Sequence, residues 1–337
     1  MQQLSWLFSE ALAELATLNA AAGPFAATAA LAAACAAASY AANVATGYWS
    51  WVDRLWSLLP PIYAVIFATW PAVGEGAGST RLSLIAALVL AWGGRLTYNF
   101  YRKGGYGAEE DYRWPVVRAW FAQNDPLAPL GREVFSLVFV AMYQHALIWA
   151  FSVLPLYVVW HERKHSSSLN GVDVAASLVF LAALALEVWT DETQFAFQTR
   201  KHALSARARA DAGGDLARGF CSSSGPFRYS RHANFFAEQS IWWCLCGFAV
   251  AAGAPLIHWS AVGALLLSGL FQGSTYMTEY LSASKYPAYF AYQETTSRLL
   301  PWFPGPSLDS TEGKALIARA AARARPPRAA GAAYHED

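Results

Sequence analysis

Long apolar runs separated by short polar clusters set the pattern of this chain. A helix that crosses a bilayer needs about 20 mostly apolar residues. Seven stretches qualify, roughly 23–46, 57–73, 82–100, 133–160, 172–198, 236–252 and 255–272. The pattern predicts an all-α polytopic membrane helix bundle of about seven transmembrane helices. The first stretch is Ala-rich from Ala26 to Ala42, inserts less favourably than Leu or Ile would, and suits a packed helix better than a lipid-facing one. No internal repeat is visible, so neither a solenoid nor an inverted-repeat transporter is indicated.

Composition sharpens this picture. Charged residues make up 14% of the 337, apolar residues 55% and aromatics 15%, with 15 Trp; a soluble globular protein carries about 25% charged residues. A water-soluble enzyme is excluded on that ground, and a net charge of +1 gives no basic field for nucleic acid. With the amino terminus outside and the carboxy terminus cytoplasmic, 21 of the 24 Lys and Arg residues fall inside, and only Arg81, Arg163 and Lys164 outside. That agrees with the retention of cations on the cytoplasmic side. An amino-terminal segment 1–22, without Lys or Arg and with Glu10 and Glu14, is expected not to be a cleaved leader. One membrane domain is expected over 23–304, with 172–304 as its carboxy-terminal half. The Ala/Arg/Pro-rich tail 305–337 reads as a short basic helix grading into disorder and tethered to anionic lipid. Cysteines 35, 221, 244 and 246 form no CxxC pair and are expected to be reduced.

Polar residues gather at the predicted cytoplasmic face. In VWTDETQFAFQTRKH, Asp191, Gln194, Gln198 and Lys201 recur every three or four residues and share one helical face. A carboxylate, two amides and an ammonium in a row suit a ligand with both hydroxyls and phosphates. Glu187 lies one turn deeper, where an ionisable group is costly and faces a partner or a cavity. In SGPFRYSRHANFFAEQSIWW, a Gly225-Pro226 turn precedes Arg228, Arg231 and His232, and Asn234 and Glu238 stand four apart as a helix begins.

That second segment resembles the GxxRYxRHPNYxxE signature of the steroid 5-alpha-reductase superfamily, in particular its branch of membrane proteins with a reductase-like carboxy-terminal domain. DRLWSLLP from Asp53, RKGGYGAEEDYRW from Arg102, DETQFAFQTRK from Asp191 and STYMTEYLSASKYPAYFAYQETTSRLLPWFP from Ser274 agree with it in order, over about three quarters of the chain. The resemblance implies a seven-helix bundle in which the carboxy-terminal half holds NADPH near the cytoplasmic face and a lipid enters among the amino-terminal helices. It also implies NADPH-dependent reduction of a carbon–carbon double bond conjugated to a carbonyl in a hydrophobic lipid such as a steroid or sterol, in the endoplasmic reticulum membrane. Carried over by position, the cofactor-binding set is Arg95, Asp191, Gln194, Gln198, Lys201, Arg228, Arg231, His232, Asn234, Glu238, Lys285 and Tyr286. Cations neutralise the phosphates, while Asn234 and Glu238 hold the carboxamide or ribose edge.

The sequence departs from the signature at Ala233, where Pro is usual, and at Phe235, where Tyr is usual. WSLLPPIYAV and RLSLIAALVLAWGG lack the Glu and Tyr with which steroid-reducing members grip the enone oxygen, so steroid specificity is not inherited. A proton donor is still required; Glu187, Tyr143 and Tyr63 are the candidates, with Gln144 and His145 beside Tyr143. Isoprenylcysteine and phospholipid methyltransferases carry a related motif, which makes an S-adenosylmethionine-dependent membrane methyltransferase the alternative. His161-Glu162-Arg163-Lys164-His165 is a literal HExxH, yet two cations inside it and its place at a helix end make a chance match the expectation, with no metal. Glu109, Glu110 and Asp111 with Arg113 are expected to pair with cations. The expected partners are a hydrophobic small molecule and membrane lipid, with no obligate protein partner.

Overall fold

The computed structural model describes residues 2–70, 79–107, 110–121, 127–163 and 168–323, with the backbone alone for 2–22 and 323. Every extended element among them is helical. In chain order these are α1 (Gln2–Thr46), α2 (Trp51–Trp56), α3 (Leu59–Thr69), α4 (Thr80–Arg102), α5 (Arg113–Phe121) and α6 (Ala128–Phe135), then a π-helical segment Ser136–Tyr143 leading into α7 (Gln144–Glu162). They continue with α8 (Gly171–Ala203), α9 (Ala206–Ala212), α10 (Gly214–Arg218), α11 (Ala233–Ala251), α12 (Val262–Lys285), α13 (Tyr289–Thr295) and α14 (Thr311–Arg323). Three are long and apolar enough to cross a membrane: Gly23–Thr46, Ala128–Glu162 with its π-helical segment, and Gly171–Ala203.

The helix boundaries have local causes. Gly23, at φ 75°, interrupts α1 just before Pro24, and Thr28 Oγ1 donates to the Pro24 carbonyl at 2.8 Å. In the Ala-rich run that follows, only 17% of the most apolar window is buried, because methyl side chains provide little surface for neighbours to cover. One side of the helix nonetheless packs on α7, with Ser39 3.3 Å from His145 and Phe25 edge-on to Trp149 at 4.9 Å. The second apolar stretch yields an eleven-residue α3, and 71–73 lie outside the described residues. The seventh starts late. Gly253 at φ 120° and Pro255 end the preceding structure, so α12 begins at Val262 and runs on to Lys285.

The chain divides into two compact units: residues 1–181 with 241–267, and 182–240 with 268–337. The division does not follow the expected carboxy-terminal half, because α11 runs into the first unit and α12 returns from it. In the first unit α3, α4 and α7 share a core of Leu59, Phe67, Ile85, Val89, Trp92, Ile148 and Phe151, and Trp242 stacks edge-on against Trp92 at 4.8 Å. At Gly263 a Cβ would lie 2.4 Å from the Ala150 carbonyl, so α12 starts in backbone contact with α7. Arg81 and Asp173, both fully buried, form a bidentate pair at 2.7 and 2.9 Å. The DRLW and EEDYRW blocks also interlock here: Trp114 Nε1 donates to Asp53 at 3.0 Å, Asp111 N to Ser50 Oγ at 2.9 Å and Arg54 to the Gly107 carbonyl at 2.7 Å.

The second unit is centred on aromatic residues. Phe220, Tyr289 and Tyr292 pack with Leu308 and Ala320, and Tyr286, Leu316 and Ile317 lie against them. Thus α14 docks by its apolar side, while Lys314 and Arg319 stay exposed. The short basic helix expected in the tail is thus present over Thr311–Arg323 and packs on its apolar side; residues 324–337 lie outside the described residues. Asp215 holds the turn after α10 by accepting from the Ser222 and Ser223 amides at 3.1 and 3.0 Å and from Arg218 at 2.7 Å.

Candidate functional site

The polar row of α8 is its buried row. Its inward positions begin with Phe180 and Ala183 and continue through Glu187, 2% exposed, and Asp191, 7% exposed, to half-buried Gln194, Gln198 and Lys201, while Val188, Trp189 and Glu192 face out. Lys201 Nζ donates to the Gly219 carbonyl and to the Tyr286 hydroxyl, both at 2.8 Å, and lies 5.1 Å from the centre of the Tyr286 ring. Glycine is required at 219: its φ is 86°, and a Cβ would stand 2.3 Å from the Tyr286 ring. Lys285 is exposed and its Nζ lies 5.8 Å from the same ring. Three blocks remote in sequence therefore meet at one ammonium group.

The Arg-rich motif is built around Glu279, a residue sequence reasoning missed. Arg231 Nε donates to Glu279 Oε1 at 2.6 Å, His232 Nε2 lies 3.1 Å from the same oxygen, and Gln293 Nε2 donates to Oε2 at 2.8 Å. Arg231 also donates to the carbonyls of Gln293 and Thr296. Burial alone would raise the Glu279 carboxyl, but the hydrogen bonds from His232 and Arg231 and the charge of Arg231 hold it at about 2. Backbone bonds from Arg231 to Ser297 and from His232 to Arg298, 2.9 and 3.1 Å, lock the motif to the segment after α13. Arg228 donates to the Gly305 carbonyl. The signal for Glu279 was a carboxylate one or two turns beyond an apolar stretch, which needs a partner.

Arg231 and His232 are thus spent on the protein, and their part in the site is to fix the first turn of α11. The residues left open differ. Asn234 in that turn, and Gln194 and Gln198 on α8, are half-buried and make no side-chain hydrogen bond to any described residue. Gln194 and Gln198 stand in the same α8 row as Lys201 and offer amide donors and acceptors along it, beside the remaining proton of Lys201; Asn234 offers the same groups at the start of α11. Glu238, one turn along α11, is 7% exposed.

The remaining candidates belong to the first unit. Tyr63 is fully buried, and its hydroxyl has no hydrogen-bond partner among the described residues. Tyr143 ends the π-helical segment, half-buried and stacked on Phe139 at 5.4 Å. His145 is held by Ser39 at 3.3 Å and the Ala141 carbonyl at 2.7 Å. Arg95 is half-buried on α4. In the HExxH segment His161 is 65% exposed and contacts Glu162 at 3.4 Å; His165 lies outside the described residues, as does Glu109. Glu110 pairs with Arg118 and Asp111 with Arg113. No His, Cys, Asp and Glu cluster of metal-binding size occurs among the described residues.

A protein-family model described as "Protein of unknown function (DUF1295)" matches residues 39–296. The chain belongs to the DUF1295 family. The DUF1295 match contains the whole α8 row, the Arg-rich motif, Glu279 and Tyr286, and stops before α14. "Uncharacterized protein C594.04c" of Schizosaccharomyces pombe is 33% identical over 304 residues, which is 87% of this chain and 84% of that one. No solved structure matches.

Proposed function

We propose that this DUF1295 protein is an NADPH-dependent membrane oxidoreductase that reduces a carbon–carbon double bond conjugated to a carbonyl in a hydrophobic lipid, as the resemblance to the steroid 5-alpha-reductase superfamily implies. The observation that carries the reading is the meeting of the α8 row, Gly219 and Tyr286 at Lys201, on the row that also holds Gln194 and Gln198, which make no side-chain hydrogen bond to any described residue. The seven apolar stretches are read as seven spans with the amino terminus outside, and placement in the endoplasmic reticulum follows from the same resemblance.

In this reading Gln194, Gln198 and Asn234 bind the amide and ribose edges of the nucleotide, and Lys201 opposes a phosphate as a point charge. Asp191 and Glu238 accept from hydroxyls, and Arg231 and His232, clamped by Glu279, keep Asn234 in place. NADPH supplies the hydride that adds to the β-carbon. Tyr63, Tyr143 and Glu187 are the candidates to give the carbonyl oxygen a proton; the Tyr63 hydroxyl has no hydrogen-bond partner among the described residues.

Purified protein in detergent, given NADPH deuterated on the transferable carbon and a panel of long-chain enones, tests this by mass spectrometry of the product. Deuterium at the β-carbon, reduced in Tyr63→Phe with NADPH affinity unchanged, is expected. Methyl transfer from S-adenosylmethionine with no deuterium transfer would replace the reading with the methyltransferase one.

A further inference from the structure

The segment after α13 is pinned at its base and greasy at its tip. Besides the bonds to Arg231 and His232, the Ser230 hydroxyl donates to the Leu299 carbonyl at 2.7 Å, Trp302 N donates to the Tyr229 carbonyl at 3.0 Å, and Gly305 N to the Thr295 carbonyl at 2.7 Å. Between these fixed points Leu300, Trp302 and Phe303 are 53%, 62% and 86% exposed. A loop tip ordinarily carries polar residues; this one holds three large apolar side chains in water by a rigid frame. Pro301 and Pro304 flank Trp302 and Phe303 and stiffen it further.

Its depth can be read from α12. Arg298, the residue just before the tip, donates to Gln272 Oε1 and sits 4.4 Å from the centre of the Tyr276 ring. Gln272 is the last residue of the seventh apolar stretch. Tyr276 and Tyr280, one and two turns further on, are 66% and 62% exposed on α12. Exposed tyrosines at the end of an apolar run mark the boundary between hydrocarbon and headgroups. The base of the loop is therefore held at that boundary, and its tip joins the same aromatic belt.

We infer that Leu300, Trp302 and Phe303 are a foot that inserts into the interfacial layer of the bilayer, anchoring the Arg231 and His232 clamp to the lipid surface. The partner is lipid, engaged by apolar insertion, because Arg228 and Arg298 beside the tip are already bonded within the protein. The inference rests on the reading above of the seventh apolar stretch, 255–272, as a span, a reading that goes beyond the three helices long and apolar enough to cross by themselves.

The test labels Phe303→Cys, and separately Leu300→Cys, with a bimane fluorophore in phosphatidylcholine vesicles. The parent chain supplies the background; its Cys221, Cys244 and Cys246 are buried and Cys35 half-buried. Leu265→Cys, on the exposed side of α12, reports the crossing, and Glu312→Cys, an exposed charge on α14, reports water. For both loop positions, roughly twofold stronger quenching is expected from a nitroxide lipid labelled near the headgroup than from one labelled deep in the acyl chain, with weak quenching by aqueous iodide. Loop positions that respond to iodide as Glu312→Cys does, while Leu265→Cys is quenched by lipid, would overturn the foot and leave the crossing intact. Failure at Leu265→Cys would overturn the crossing itself, and the foot with it.

Discussion

Replacing Arg231 and replacing Asn234 are expected to have opposite effects, although both belong to one motif. Arg231→Ala leaves the buried Glu279 carboxylate without its cation, a change that typically costs about 3–5 kcal/mol, so it is expected to lower the unfolding temperature sharply. Asn234→Ala removes a side chain bonded to no described residue and is expected to leave that temperature unchanged. It is expected to weaken NADPH binding roughly five- to tenfold, the worth of one or two hydrogen bonds. Glu279 also sets a pH dependence. Its carboxyl is depressed from the ordinary 4.5 to about 2, so its stabilisation is complete above about pH 4.5 and is lost as pH falls towards 2. The difference amounts to about 3 kcal/mol by linkage, and Glu279→Gln is expected to flatten that part of a thermal-melt series in detergent.

Among the elements, α8 was legible and its surroundings were not. The three-and-four spacing of Glu187, Asp191, Gln194, Gln198 and Lys201 is a property of one helix, and the structure buries that row. The partners of Lys201 lie 18 and 85 residues away at Gly219 and Tyr286, and no local period reports contacts of that range. The same holds for Glu279, whose partners come from the turn before α11 and from α13, and for Arg81 with Asp173. The π-helical turn before Tyr143 was hidden because its residues are apolar all round, whereas the late start of α12 was signalled by Gly253 and Pro255. Two outcomes belong at this scale. Arg81→Met is expected to destabilise by about 3–5 kcal/mol, seen as an earlier thermal midpoint. Gly263→Leu is expected to prevent the backbone contact of α12 with α7 and lower the yield of folded protein in size-exclusion chromatography.

For the whole molecule, composition and the placement of 21 of 24 cations pointed to a polytopic helical chain, and among the described residues the structure is all-helical with three helices long and apolar enough to cross a membrane. The sequence did not announce the division into two units, because α11 and α12 each run from one to the other without a break in the helix. It suggested the short basic helix of the tail, but not the packing of α14 on Phe220 and Tyr292. The central claim is that the open amides in the α8 row of Lys201, together with Asn234, bind a nucleotide. A titration of the detergent-purified chain with NADPH, followed by nucleotide fluorescence and compared with NADH and S-adenosylmethionine, tests it most directly. Saturable NADPH binding, weakened in Asn234→Ala and Gln198→Leu while both variants melt like the parent, is the predicted result; no NADPH binding by a parent chain that melts cooperatively, or binding indifferent to both substitutions, would contradict it.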